Sequence, residues 1–256
     1  MADALIGATG LVGGTLLRRR RFAALYRSTD IASIAGRRFD TIWCAGAPAE
    51  KWKANQDPAA DRANLRRLAD ALLAAEARRV VLISTVDVYG STVGVTEDVE
   101  PVGATPYGRH RLELERVIAD RFPTLVVRLP ALFGRGLKKN ALFDLLHGNQ
   151  LERIDCRARF QFYDLERLAD DVDTAAAAGL RLVHFATEPL AIGTIARAAF
   201  GIEFGNCLEG KPPAYDFRTR HAAAFGRDGP YLATAAEVLA GIAAFVDAER
   251  GARRCA

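Results

Sequence analysis

The 256-residue chain reads as an α/β protein built on a doubly wound parallel sheet with helices on both faces, and three features carry that reading. An apolar run at Ala4 to Ile6 enters a glycine-rich turn, GATGLVGG, at the start of the chain. Short apolar or β-branched runs then alternate with amphipathic helical stretches as far as about residue 130. The third is composition: 50% of the residues are hydrophobic and 26% are charged, which allows a large core without disulfide or metal staples.

Taken in order, the first strand ends in the glycine turn, and an apolar helix follows. That helix runs out at Arg18 to Arg21, where the helix dipole favours cations. A second strand is predicted over Phe22 to Arg27 and a third over Thr41 to Ala45, entered from Phe39-Asp40. Between Asn64 and Glu76, Leu65, Leu68, Ala69 and Leu72 recur at i, i+3, i+4 and i+7, the spacing of a helix with one buried face. Val80 to Ile83 reads as a fully buried strand with Ser84-Thr85 at its carboxyl end. Tyr107 opens another helix, and Thr124 to Val127 form a further strand. Beyond about Phe133 the rhythm is irregular. A helix over Ala141 to His147, plain helix at Ala175 to Ala178, a strand over Arg181 to Phe185 and a helix over Ile192 to Phe200 precede a Gly/Pro-rich stretch at 205 to 230. The expected organisation is a single Rossmann-type domain over 1–256, with a small C-terminal substrate-binding subdomain, a lid built from about 134–160 and 205–230. In such sheets ligands sit at the carboxyl ends of the strands.

Five lysines among 35 basic residues leave thirty arginines, a skew that reads as composition. The net charge of +4 and a pI of about 9.0 are weak grounds for a nucleic-acid partner, and none is expected. Neither a membrane span nor a basic leader is read from the sequence, so the expected location is cytoplasmic. Cys44, Cys156, Cys207 and Cys255 are scattered without a C-x-x-C pair, and His110, His147, His184 and His221 show no ligand spacing. No disulfide framework and no metal are therefore expected. His184 lies in an apolar strand and reads as a core histidine, and Trp43 and Trp52 read as core and loop packing.

The run Gly7-Ala8-Thr9-Gly10-Leu11-Val12-Gly13 has G-x-x-G-x-x-G spacing between a predicted strand and helix. Glycine permits the tight turn and close backbone approach that a pyrophosphate needs, and the helix N-terminus meets its charge. Gly7, Thr9, Gly10, Leu11, Val12 and Gly13 are thus candidate dinucleotide contacts. Where an acidic residue would take a ribose 2′-hydroxyl, at the end of the second strand, stand Arg27-Ser28. Arginine pairs with a 2′-phosphate, which favours NADP over NAD. The competing reading is one more arginine in an arginine-rich chain.

Seven segments follow in order: GATGLVGG, FDTIWCAGA, the helix from Asn64-Leu65, VVLISTVDVYG, TEDVEPVGATPYGRHRLELE, VVRLPALFGRG and HFATEPLAIGTIARAAFG. Together they resemble the extended short-chain dehydrogenase/reductase family, in its NAD-dependent epimerase/dehydratase branch, over about residues 4 to 201. The resemblance implies that Thr85 hydrogen-bonds the substrate oxygen and that Tyr107 is the general acid/base. It also implies that Ala45, Gly46 and Ala47 line the cofactor, with Leu129-Pro130 beside the nicotinamide. Four residues after the tyrosine, on the same helix face, the family places lysine; here Arg111 stands. Arginine keeps the charge but does not release its proton. The dehydratases of the family follow the threonine with Asp-Glu, whereas Thr85 is followed by Val86-Asp87, which disfavours elimination and leaves Asp87 as a solvated loop carboxylate. The expected function is an NADP-dependent oxidoreductase or epimerase acting on a hydroxyl/keto carbon of a small or nucleotide-sugar-like substrate. The alternative is a catalytically degenerate dinucleotide-binding sensor or scaffold. By the same resemblance, a homodimer would pair through the helices that contain Asn64 and Tyr107.

Overall fold

A computed structural model describes residues 2–254. The chain forms two compact units. One comprises Met1–Ser91, Glu97–Leu129 and Leu168–His184; the other comprises Thr92–Thr96, Pro130–Arg167 and Phe185–Ala256.

The first unit is organised by six parallel strands. Four are β1 (Ala4–Ile6), β2 (Ala24–Tyr26), β3 (Arg38–Cys44) and β4 (Glu76–Thr85), and two more are Thr124–Leu129 and Leu182–His184. Their spatial order runs from Leu182–His184 through Thr124–Leu129, β4, β3 and β1 to β2. β1 therefore has β2 on one side and β3 on the other, and the strand order reverses there. The crevice outside the carboxyl end of β1 is the ligand position such sheets provide. All three residues of β1 and all six of Thr124–Leu129 are buried, as expected for strands covered on both faces.

Four helices matter to the site: α1 (Leu11–Arg19), α2 (Lys51–Gln56), α3 (Pro58–Leu73) and α4 (Pro106–Arg121). On α3, Leu65, Leu68, Ala69 and Leu72 are buried as their spacing predicts, but the helix begins earlier than the apolar pattern. Asp57 caps it by accepting the Ala60 N–H at 3.0 Å, and Pro58 occupies the first turn. β3 and β4 also start before their apolar runs. Their ladder begins at Arg38 opposite Glu76, where backbone pairing continues through exposed side chains. Arg19 and Arg20, at the end of α1, face Asp170 and Asp173 at 3.2 and 2.8 Å. Trp43 is buried, whereas Trp52 lies exposed on α2 rather than packed in a loop.

The second unit holds two-stranded pairings: Ala131–Phe133 with Phe162–Asp164, Arg159–Phe160 with Leu190–Ala191, and Val93–Val95 with Asp216–Phe217. Its core gathers Phe133, Leu142, Phe162, Ile195, Phe200 and Ile242. The helix Ala141–His147 forms as predicted, capped by the Asn140 side chain and closed by left-handed Gly148. The helix at 192–200 is α only over Ile192–Ile195 and widens into a π-helix over Ala196–Phe200. Segments 134–160 and 205–230 both fall in this unit, together with the helix Ala235–Arg254. Among the described residues no helix is long and apolar enough to cross a membrane.

Candidate active site

The glycine turn is shaped by close backbone approaches. Gly7 has φ +87°, and a Cβ there would lie 2.3 Å from the Ala45 carbonyl oxygen; one on Gly13 would lie 2.1 Å from that of Gly7. Neither position admits a side chain. Ala45 donates its N–H to Ile6 at 3.0 Å, so the turn after β3 is tied to the end of β1. Among the described residues no side chain caps α1 at Gly10, which leaves its first-turn N–H groups for an anion. Thr9 and Gly10 are exposed, and Leu11, Val12, Ala45, Gly46 and Ala47 are half-buried around this turn. Arg27 and Ser28 follow β2 and are exposed, with the Asp30 carboxylate accepting the Arg27 N–H at 2.6 Å. Leu129 is buried and paired in register with Thr85, and Pro130 follows it. The predicted dinucleotide residues of the first unit thus stand at the carboxyl ends of its strands. Open N–H groups beside glycines that admit no Cβ fit a pyrophosphate.

The candidate general acid/base, Tyr107, is positioned by α4. Thr105 caps the helix by accepting the Gly108 N–H at 3.2 Å, and Asn55 on α2 accepts that of Tyr107 at 3.0 Å. A Cβ on Gly108 would lie 2.1 Å from the Asp87 carbonyl oxygen, so glycine is what lets α4 close onto the turn Val86–Val88. That closure brings Tyr107 close enough to Thr85 for the Thr85 side chain to act on its phenol, and Thr85 Oγ1 accepts the Asp87 N–H at 3.1 Å.

Arg111 lies over Tyr107 as the i, i+4 spacing predicts, with Cζ 3.8 Å from the ring centroid. Its guanidinium is heavily engaged. Nη1 donates to Asp61 Oδ2 at 2.6 Å and to the Tyr107 carbonyl at 3.2 Å; Nη2 donates to Asp61 Oδ1 at 2.9 Å and to the Pro48 carbonyl at 2.6 Å. Nε is buried without a hydrogen-bond partner among the described residues. Lysine, with three donors and no planar fork, could not make this set. His110 Nδ1 meets the same Asp61 carboxylate at 2.7 Å.

Burial pushes the Asp61 carboxyl up, but the hydrogen bonds from Arg111 and His110 outweigh it and leave the group below its ordinary value. Burial pushes the Tyr107 phenol above its ordinary value, with Arg111, Thr85 and Lys51 opposing that rise and Asp87 adding to it. At neutral pH Tyr107 therefore carries its proton. Asp87 is not a solvated loop carboxylate: it is half-buried and accepts from Lys51 Nζ at 2.7 Å, because α2 places Lys51 beside the turn.

Beneath Thr85 lies a polar network. Ser84 donates to Glu115, which accepts from Arg128 Nη2 at 2.6 Å; Arg128 Nη1 donates to Tyr89 Oη at 2.5 Å, and that hydroxyl meets His184 Nε2 at 2.8 Å. His184 is thus a bonded core histidine, and burial holds the Tyr89 phenol at about 12. Lys51, Asn55, Asp61 and Gly108 are absent from the sequence reading of the site. For Asp61 the cue was Asp57-Pro58, a cap and first-turn proline that start α3 early enough to include it.

The sequence pattern of the NAD dependent epimerase/dehydratase family matches residues 4–147, a span that holds every residue of this site except His184. The chain belongs to that family. No curated protein matches the sequence. Solved structures share its fold. MoeE5 in complex with UDP-glucuronic acid and NAD is 17% identical, with 98% of this chain and 100% of that chain covered and a TM-score of 0.75. A dTDP-4-dehydrorhamnose reductase from Clostridium acetobutylicum is 16% identical, with coverage of 98% and 100% and a TM-score of 0.74. A UDP-N-acetylglucosamine 4-epimerase from Methanobrevibacter ruminantium M1 is 11% identical, with coverage of 96% and 96% and a TM-score of 0.75.

Proposed function

We propose that the chain is an NADP-dependent oxidoreductase or epimerase acting on a hydroxyl/keto carbon of a small or nucleotide-sugar-like substrate. The observation that carries this is Tyr107 stacked under Arg111 at the start of α4, with Thr85 at the carboxyl end of the same parallel sheet that bears the glycine turn. Gly7 to Gly13, Ala45 to Ala47 and Leu129-Pro130 would hold the dinucleotide, which supplies hydride exchange when bound. Thr85 and Tyr107 would address one substrate oxygen, Thr85 fixing its position. Tyr107, protonated at neutral pH, gives its proton to that oxygen as negative charge develops there and takes it back in the reverse direction. Arg111 stays charged throughout and, tied to Asp61, is a fixed cation that steadies the ring. UDP-glucuronic acid on MoeE5 and the sugar nucleotides named for the other solved structures support a nucleotide-sugar-like substrate. Val86, buried where a dehydratase would carry an acid, argues against elimination. NADPH oxidation with a panel of keto sugars and sugar nucleotides tests the reading; binding of neither NADPH nor NADH overturns it.

Arg27 carries the NADP preference. Replacing Arg27 with Ala should weaken NADPH binding roughly ten- to a hundredfold, the worth of a charge-assisted hydrogen bond, while NADH binding stays unchanged. Equal losses for both in a fluorescence titration would refute the preference.

The second reading, a sensor or scaffold, draws on the engagement of Arg111 by Asp61 and Pro48, which leaves no relay lysine at that position. Dinucleotide binding without turnover on any substrate would favour it. A second copy of the chain would pair through α3 and α4, where Val117 is 39% exposed. A Val117→Glu chain should then sediment as a monomer, and an unchanged dimer would refute that arrangement.

A further inference from the structure

Two cysteines far apart in sequence meet in the second unit: Cys156 Sγ lies 3.4 Å from Cys207 Sγ. Both are free thiols, Cys156 half-buried and Cys207 exposed. The backbone around them is tied on both sides. Cys156 donates its N–H to the Asn206 carbonyl at 2.7 Å, and the Asn206 side chain donates to the carbonyls of Leu151, Glu152 and Ile154. Leu208 donates its N–H to Asp155 Oδ2 at 3.1 Å, and Arg157 Nη2 donates to the Leu208 carbonyl at 2.6 Å. The backbone segments that carry the two thiols are therefore held side by side by the fold.

Asp155 completes a group of three donor side chains whose ligand atoms lie within 4.8 Å of one another. Its carboxylate is already committed: Oδ1 accepts from Arg157 N and Nε at 2.8 and 3.0 Å, and Oδ2 accepts from Arg157 Nη2 at 2.7 Å as well as from Leu208. Two thiols remain, fewer than the four ligands of a structural zinc site. What two adjacent thiols on a fixed backbone do readily is exchange with a disulfide.

We propose that Cys156 and Cys207 form a reversible thiol–disulfide modification site that reacts with small-molecule disulfides. The exposed Cys207 thiolate attacks one sulfur of the small disulfide; a Cys207–S bond forms, the small disulfide bond breaks, and one small thiol leaves. The Cys156 thiolate then attacks the Cys207 sulfur of the mixed disulfide, forming the Cys156–Cys207 bond and releasing the second small thiol. The protein loses two electrons and two protons, and the small disulfide takes both. The Cys156 thiol is pushed up, first by its hydrogen bond with Cys207 and then by desolvation; once Cys207 is in the mixed disulfide it no longer offers a free thiol to that hydrogen bond. Cys156 and Cys207 lie in the two segments, 134–160 and 205–230, that the sequence assigns to the substrate lid. Oxidation would thus tie those segments together; that consequence rests on the lid reading, whereas the chemistry does not.

The full chain, incubated with graded ratios of oxidised to reduced glutathione and mapped by mass spectrometry, tests this. The expected product has lost two hydrogens, carries a cross-link between the peptides holding 156 and 207, melts at a higher temperature and reverts with dithiothreitol. Cys156→Ser should instead keep glutathione on Cys207 as a stable adduct. A wild-type chain that retains the adduct without the cross-link, or whose two thiols stay unreacted in oxidised glutathione alone, overturns the proposal. Zinc that protects both thiols from alkylation at one ion per chain also overturns it, in favour of a metal site.

Discussion

Tyr107→Phe is expected to lower turnover by about 10²- to 10⁴-fold, the usual contribution of a positioned proton donor, while leaving NADPH and NADH affinity within about twofold. The ring keeps its place, because its stacking under Arg111 and the capping of α4 by Thr105 and Asn55 do not involve the hydroxyl. Only the hydroxyl, with its interaction with Thr85 and its transferable proton, is removed. A combined binding and steady-state measurement separates the outcomes. Unchanged turnover would remove Tyr107 from the proton role, and loss of cofactor binding together with turnover would mean that the change disturbed the site rather than the chemistry.

Asp61→Asn should produce the largest loss of stability. The Asp61 and Arg111 side chains are only 7% and 3% exposed, and their two hydrogen bonds of 2.6 and 2.9 Å hold opposite charges out of water. Removing one charge strands the other, at a cost of about 3–5 kcal/mol, or roughly 10 °C in melting temperature. An exposed pair would contribute under about 1 kcal/mol, so a loss that small would show that Arg111 is not confined as described. The pH dependence has a definite sign. Asp61 ionises below its ordinary value in the folded chain, so its contribution is complete above about pH 4 and is lost as pH falls through the folded value. Urea unfolding of the wild-type chain should weaken on acidification in that range, and the Asn variant should lack this part of the slope.

The two variants bear on different kinds of information. The glycine turn, the buried stripe of α3 and the placing of Arg111 over Tyr107 were legible because each is set within a few residues by a periodicity or a backbone requirement. The helix Ala235–Arg254 carries the same kind of signal, since its buried Val238, Ile242 and Val246 recur every four residues. The starts of β3 and β4 were not, since Arg38 and Glu76 are strand residues only by virtue of each other. Asp87, a solvated carboxylate by its place in the sequence, is paired because α2, which carries no strong apolar pattern, brings Lys51 to it.

By itself the sequence determined the family, the parallel sheet with its glycine turn at the carboxyl end of β1, and the identity of the tyrosine, threonine and arginine. These follow from local spacing, which a chain carries before it folds. Tertiary structure alone decided what Arg111 does: Asp61, fifty positions away, and Pro48 engage its donors and make it a fixed charge. It likewise decided that Cys156 and Cys207 meet, across a separation of 51 residues. Partners so distant in sequence leave no periodic trace, because their contact is set by how whole elements pack and not by the residues between them.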